Sequence, residues 1–196
     1  EAEPGYVLVG ADYSQIELRV AAHLSDDANM IEAFRRGEDI HKKTAAVVFG
    51  VDPEAVTSEM RRQAKVFNFG ILYGMGAFGL AQAADIDQKE AGKFIEAYFK
   101  RFSGVAKYLE ASKVFAREHG YVETELGRRR SVPEIQSRNV QVARSGERMA
   151  VNMPVQGLAA DIMKLAMIAA DRLVTERYGE TATMLLQVHD EIIFEV

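Results

Sequence analysis

Apolar residues fall into short continuous runs near both ends of the chain and into helical spacing between them. Residues 6–11 make a β-branched and apolar run after Pro4-Gly5, which predicts a buried strand ending at Asp12. Ser14 and Glu17 have the spacing of a capping box, and Ile16, Leu18, Val20 and Leu24 then populate a helix that closes near Ser25. From about residue 27 to residue 119 nearly everything reads as helix, with breaks at Gly37, at 50–53, at 74–79 and at Ser103-Gly104. Residues 121–124 and 128–132, on either side of Glu125-Leu126-Gly127, predict a small hairpin leading into Pro133. Over 157–178, Leu158, Ile162, Leu165, Ala169 and Leu173 lay one helical face on a core before Gly179 ends it. Residues 183–188 and 191–196 are β-rich runs around His189-Asp190 and read as a hairpin with a tight turn. The predicted class is α+β, with a helical subdomain set between strand-bearing ends.

Composition narrows the function classes. The chain has 196 residues, 48% of them hydrophobic, enough for a substantial core in one large or two small domains. It has no cysteine, so disulfides, thiolate zinc sites and thiol nucleophiles are excluded, and any metal must be held by oxygen or imidazole. Residues 1–5 are acidic, and no apolar run approaches the roughly 20 residues of a membrane span, so neither a signal peptide nor a transmembrane helix is expected. A formal net charge of -5 leaves nucleic-acid contact to local clusters. Two exist: Arg61, Arg62 and Lys65, and then Arg128, Arg129, Arg130, Arg138, Arg144 and Arg148. A charge run alone is more often a solvated face.

Asp12 sits where a strand gives way to a helix, and Asp190 sits at the tip of an apolar hairpin. Taken singly, the first reads as the start of an N-cap and the second as a turn residue. Should sheet pairing bring them together, two repelling carboxylates would be relieved by a shared divalent cation, and oxygen-only ligation with open positions suits Mg²⁺. Between them, Arg61, Lys65, Phe69 and Tyr73 recur every four residues, so each step rotates about 40° and the four form one slowly winding stripe. Two cations followed by two rings suit a triphosphate that carries a sugar and base. Arg144, Arg148, Asn152 and Gln156 repeat the same spacing with hydrogen-bond donors, although Pro154 argues against a continuous regular helix there. Such donors can meet the minor-groove acceptors that every base pair offers.

Three strings carry a resemblance to family A DNA polymerases of the bacterial DNA polymerase I type. Asp12-Tyr13-Ser14-Gln15-Ile16-Glu17-Leu18-Arg19 resembles motif A, residues 60–74 resemble motif B over its full length, and Gln187-Val188-His189-Asp190-Glu191 resembles motif C. The likeness continues through Gly37-Glu38-Asp39-Ile40-His41 and through residues 147–157, so most of the chain is covered. The resemblance implies a right-hand polymerase fold, incomplete here: residues 1–26 and 138–196 as palm, residues 27–137 as fingers with the motif B helix near 58–74, and no thumb. Family members carry a thumb and a first palm segment before motif A and more palm after motif C, so the isolated chain is expected to be weak or inactive and marginally stable.

The resemblance also assigns roles. Asp12 and Asp190, with the backbone carbonyl of Tyr13, would ligate two Mg²⁺ ions, with Mn²⁺ able to substitute; one ion would activate the primer 3′-hydroxyl and the other would hold the triphosphate and pyrophosphate. Glu191 is either a secondary member of that site or an ordinary hairpin residue. Lys65 would contact the triphosphate and act as general acid to the pyrophosphate, while Gln15, His41 and Arg61 bind the phosphate tail. Glu17 fits the sugar gate, which rejects a 2′-hydroxyl and which Tyr73 helps to hold. Phe69 would pack on sugar and base, its lack of a hydroxyl implying poor acceptance of dideoxynucleotides, and Tyr73 would shift as the fingers close. Arg148, Asn152, Gln156 and His189 would test the duplex minor groove, and Arg144 would meet it or a backbone phosphate. Partners are primer-template DNA and dNTP, with no membrane and no obligate protein partner, in a bacterial, nucleoid-associated cytoplasmic setting. A single-subunit RNA polymerase shares palm and metals, but Glu17 speaks against it. A noncatalytic module that grips primer and template is disfavoured by intact Asp12, Lys65 and Asp190.

Overall fold

Cross-strand pairs of β-branched and aromatic residues build the sheet that carries both aspartates. The computed structural model describes residues 1–196, with elements in the order β1 (Leu8–Asp12), α1 (Ile16–Ser25), α2 (Ala28–Arg35), α3 (Ile40–Phe49), α4 (Ser58–Leu72), α5 (Ala77–Ala84), α6 (Gln88–Arg101), α7 (Ser103–His119), β2 (Tyr121–Glu123), β3 (Arg129–Ser131), α8 (Val140–Arg177), β4 (Thr183–Val188) and β5 (Glu191–Glu195). The fold is α+β, and the chain forms two compact units: Glu1–Ile16 with Gly157–Val196, and Glu17–Gln156.

In the first unit β5 lies between β1 and β4, all antiparallel. Val9 faces Phe194, Ala11 faces Ile192 and Asp12 faces Glu191, while Val188 faces Glu191 from the other side. A bulge between Met184 and Leu186 adds a residue to β4. Ile192 is buried, but β1 is exposed along all five residues. The buried strand expected at 6–11 is therefore corrected: its apolar run records sheet pairing, with no second layer over it.

The second unit holds most of the packed core. Phe49, Phe67 and Phe94 from α3, α4 and α6 meet with ring centroids 5.1 to 6.3 Å apart. A second cluster joins Ala116, Val122, Val132, Ile135, Ala150 and Met153. Helix starts follow the expected chemistry: Asp27, Asp39, Thr57 and Asp87 each accept a backbone N–H at an N-cap. Asp27 also accepts from the Gly104 N–H at 2.8 Å, tying the starts of α2 and α7 together.

Two expectations change. Helix α1 is entered through Gln15 at φ 57 and begins at Ile16, rather than from an extended N-cap at Ser14. Helix α8 runs unbroken for 38 residues with Pro154 inside it. Proline removes one ladder hydrogen bond, but Ala150, Val151, Met153, Val155, Leu158 and Ala159 are all buried around it, and that packing outweighs the missing bond. As one element α8 is long and apolar enough, by length and composition, to cross a bilayer, a length the expected break at Pro154 had hidden. Its apolar stretch carries Asp161 and Lys164 and is partly buried within the protein, as in the core helix of a globular fold.

Candidate active site

Strand register brings the two aspartates to one end of the sheet. Asp12 is the last residue of β1, and the next backbone N–H, that of Tyr13, donates to the Asp190 carbonyl at 3.0 Å. Asp190 lies in the two-residue turn closed by the Val188–Glu191 pair, with His189 at φ 54 and the Gln187 side-chain amide donating to the His189 carbonyl. Asp12 is exposed, Asp190 is half-buried, and neither carboxylate has a hydrogen-bond or ion-pair partner. The groups available here, the Asp12 and Asp190 carboxylates and the Tyr13 carbonyl, which also accepts from the Ile16 N–H at 3.2 Å, are all oxygen donors, the kind a hard divalent cation takes. No group of three or more His, Asp or Glu side chains is assembled anywhere to hold a metal without backbone help.

Glu191 points back along β1. Its Oε1 fills the place where a Cβ on Gly10 would stand, with Cγ 3.7 Å from that position, so its carboxylate lies over Gly10 rather than over Asp12. Gly10 escaped the sequence reading because a glycine in a strand carries no signal of which side chain lies across it.

In the helical unit the predicted stripe forms. Arg61 and Lys65 are exposed and Phe69 and Tyr73 half-buried, while Ala64, Phe67, Asn68, Ile71 and Leu72 face the core. The Phe69 and Tyr73 rings lie 6.2 Å apart, and His41 lies 6.0 Å from Phe69. Arg61 Nε donates to Asp39 Oδ2 at 2.6 Å, while Asp39 Oδ1 caps α3 by accepting from the His41 and Lys42 backbone. Burial works to raise the Asp39 pKa, but Arg61 and the cap hydrogen bonds outweigh it and hold the carboxyl below its ordinary value. Lys65 has no such partner and is left as an unpaired cation.

His41 is only 3% exposed. Its Nδ1 lies 2.9 Å from the Asn68 side-chain nitrogen, and the Thr44 hydroxyl donates to Asn68 Oδ1 at 3.0 Å. Burial depresses the His41 pKa, Asp39 opposes that, and Arg61 and Lys65 add to it. Thr44 and Asn68 were not singled out from sequence, although an asparagine in the apolar face of α4 was the available signal.

Glu17, Tyr73 and Gln156 also converge. The Tyr73 hydroxyl donates to Glu17 Oε2, and the Gln156 side chain reaches the same hydroxyl. Burial and then the Glu17 contact push the phenol pKa up, and Gln156 opposes them. Because α8 is unbroken, Arg144, Arg148, Asn152 and Gln156 follow one helical face. The end of α4 packs against that helix: a Cβ on Gly74, at φ 74, would meet Val151 Cγ2 at 3.3 Å and Arg148 Cγ at 3.4 Å. Asn152 Oδ1 and Gln15 Oε1 are buried without a partner, and His189 is exposed in its turn. A shallow cavity of about 460 Å³ lined by Arg19, His23, Asp26, Phe34 and Arg35 contains none of the predicted residues. Within the first unit Asp12 and Asp190 stand at a sheet end, and within the second Arg61, Lys65, Phe69 and Tyr73 stand on the outer face of α4.

A sheet with Asp12 at a strand end and Asp190 in the adjoining turn, and a helix that presents cations and then rings, are features of a polymerase-like α+β protein. The chain belongs to DNA polymerase family A, which it matches over residues 1–196. It is 55% identical over 195 residues to DNA polymerase I of Geobacillus stearothermophilus, covering 99% of this chain and 22% of that protein. It is 51% identical to DNA polymerase I of Pseudomonas aeruginosa, covering 100% of this chain and 21% of that protein. Among solved structures, the POL domain of Pol1 from M. smegmatis, in complex with DNA primer-template and dNTP, superposes with a TM-score of 0.94 at 49% identity, covering 100% of this chain and 34% of that one. The chain therefore spans about a fifth of the length of the curated relatives it matches.

Proposed function

We propose that the protein to which these residues belong carries out template-directed DNA synthesis, transferring a nucleotide from a dNTP to a primer 3′-hydroxyl with release of pyrophosphate. What supports the reading is that Asp12 and Asp190, neither with a side-chain partner, lie on adjacent backbone at one sheet end, joined by the Tyr13 N–H to Asp190 carbonyl bond. The solved relative in complex with primer-template and dNTP supports DNA and nucleotide as partners. In this reading residues 1–26 and 138–196 serve as palm and residues 27–137 as fingers.

Asp12, Asp190 and the Tyr13 carbonyl would hold two Mg²⁺ ions, or Mn²⁺ in their place. Bound there, such ions supply charge neutralisation and activation of the attacking hydroxyl. Lys65, unpaired and exposed, binds the triphosphate and gives a proton to the departing pyrophosphate. Arg61, His41 and Gln15 bind the phosphate tail; Phe69 packs on sugar and base. Glu17, held by Tyr73, closes the space beside the sugar 2′ position. Arg148, Asn152, Gln156 and His189 donate to the minor-groove edge, and Arg144 contacts DNA nearby. Glu191, lying over Gly10, is a secondary member of the site. A bacterial, nucleoid-associated cytoplasmic setting follows for the whole protein.

The test is primer extension with Mg²⁺ by the full-length protein, together with Mg²⁺-dependent melting of the 196-residue chain. Asp190→Asn should lower extension by roughly 10³-fold, about 4 kcal/mol of barrier, and should abolish any Mg²⁺-induced rise in Tm. Undiminished extension by Asp190→Asn would overturn the reading.

A further inference from the structure

His41 is the one buried imidazole in the chain, and its Nδ1 lies within hydrogen-bond distance of the Asn68 side chain. An Asn68 amide nitrogen can only donate, so the ring nitrogen it faces must accept. At its other end the amide Oδ1 accepts from the Thr44 hydroxyl at 3.0 Å, so both ends of Asn68 are satisfied in this orientation. Asn68 is fully buried, and Thr44 likewise, so neither group has water as an alternative partner. Turning the amide over would put the carbonyl against Nδ1 and force the proton to move to that nitrogen.

We propose that Thr44 and Asn68 are positioning residues that fix His41 with Nδ1 as acceptor and Nε2–H as donor, so that it meets a triphosphate as a single oriented hydrogen-bond donor. This rests on the phosphate-tail reading of His41 given above. The relay separates two tasks on α3 and α4: Arg61 and Lys65 supply positive charge, and His41 supplies direction. The charged groups around the ring agree with a neutral imidazole. Arg61 and Lys65 disfavour a third cation, and Asp39, which would favour one, is engaged by Arg61 and by the α3 cap. A donor of fixed direction is also of use only if its ring cannot rotate, and the contact with Phe69 at 6.0 Å flanks it on the α4 side.

The test is ¹⁵N NMR of the full-length protein labelled at histidine, with the His41 signals assigned by His41→Gln. In the unchanged chain without nucleotide, His41 Nδ1 should show the shift of an unprotonated ring nitrogen and Nε2 that of a protonated one. Thr44→Val keeps the volume and removes the orienting hydroxyl, so His41 should become a mixture of tautomers; Asn68→Asp should move the proton to Nδ1. Should Asn68→Asp fail to fold, Thr44→Val carries the test alone. Thr44→Val should also weaken binding of dNTP, read by titration of the Phe69 and Tyr73 ring signals, by roughly two- to threefold, the factor by which the Nε2–H population falls. An Nδ1–H tautomer in the unchanged chain, or a single unchanged tautomer in Thr44→Val, would overturn the inference. Failure of dNTP to perturb His41, Lys65 or Phe69, with the tautomer as stated, would instead overturn the phosphate-tail reading and leave the relay intact.

Discussion

The sheet unit and the helical unit solve different problems with different materials. Around Asp12 and Asp190 the strands are exposed and the two carboxylates stand without partners, so like charge is left uncompensated at a rigid edge. Around Arg61 and His41 the reverse holds: Asp39 engages the guanidinium, Asn68 engages the imidazole, and a core of phenylalanines lies behind them. The acidic half is arranged by backbone register, which needs few side-chain contacts. The basic half is arranged by side-chain hydrogen bonds, which need a packed interior to hold them. Carboxylates without partners can stand open to water, whereas donors held in one direction by side-chain hydrogen bonds need the packing behind them.

The most severe challenge to that contrast is Phe67→Ala. Phe67 is wholly buried and contacts both Phe49 and Phe94, so truncation should cost about 3–5 kcal/mol. Urea unfolding measures the loss, and amide exchange locates it: protection should fall first in α3, α4 and α6. Equal acceleration in β1, β4 and β5 would show that the two regions share one stability and would break the distinction.

A smaller effect sharpens it. Glu17 and Tyr73 belong to the helical unit, so Glu17→Ala in the full-length protein should relax discrimination against ribonucleotides by roughly 10- to 100-fold, with little change in the rate on dNTP. Tyr73→Phe, which removes only the hydroxyl that Glu17 accepts from, should relax it less. Unchanged selectivity in both variants would remove Glu17 from the sugar-facing role.

The smallest expected effect is on pH. The His41 pKa is held below its ordinary 6.5 in the folded chain, chiefly by burial. Below 6.5 the unfolded chain takes up a proton that the folded chain resists, so this contribution is complete above 6.5 and is lost as pH falls beneath it. The difference in stability between the unchanged chain and His41→Gln, followed by denaturant unfolding from pH 7.5 downward, should shrink in that window. A difference independent of pH would mean that His41 titrates alike in both states.

Much of this was legible in the residues. The β-rich runs near 6–11, 183–188 and 191–196 became paired strands because period and turn chemistry agreed there. The four-residue spacing of Arg61, Lys65, Phe69 and Tyr73 became one exposed-to-half-buried face because α4 is regular from Ser58 to Leu72. What stayed hidden was set by distant partners. Pro154 forbids one hydrogen bond, and local sequence could not show that buried neighbours would carry the helix past it. Gln15 adopts a left-handed conformation that no residue preference announces. The link from Thr44 through Asn68 to His41 depends on α3 lying against α4, which no single window of sequence contains.

The bulge in β4 and the two-residue turn after it have a consequence for how this region can vary. Side chains alternate between faces along a strand, so adding or removing one residue in β4 would turn part of that strand over against β5, while Asp190 stays tied to β1 through the Asp12–Glu191 pair. At the exposed positions of β4 an exchange of one amino acid for another should cost less than a change in their number, because only the latter shifts the pairing with β5.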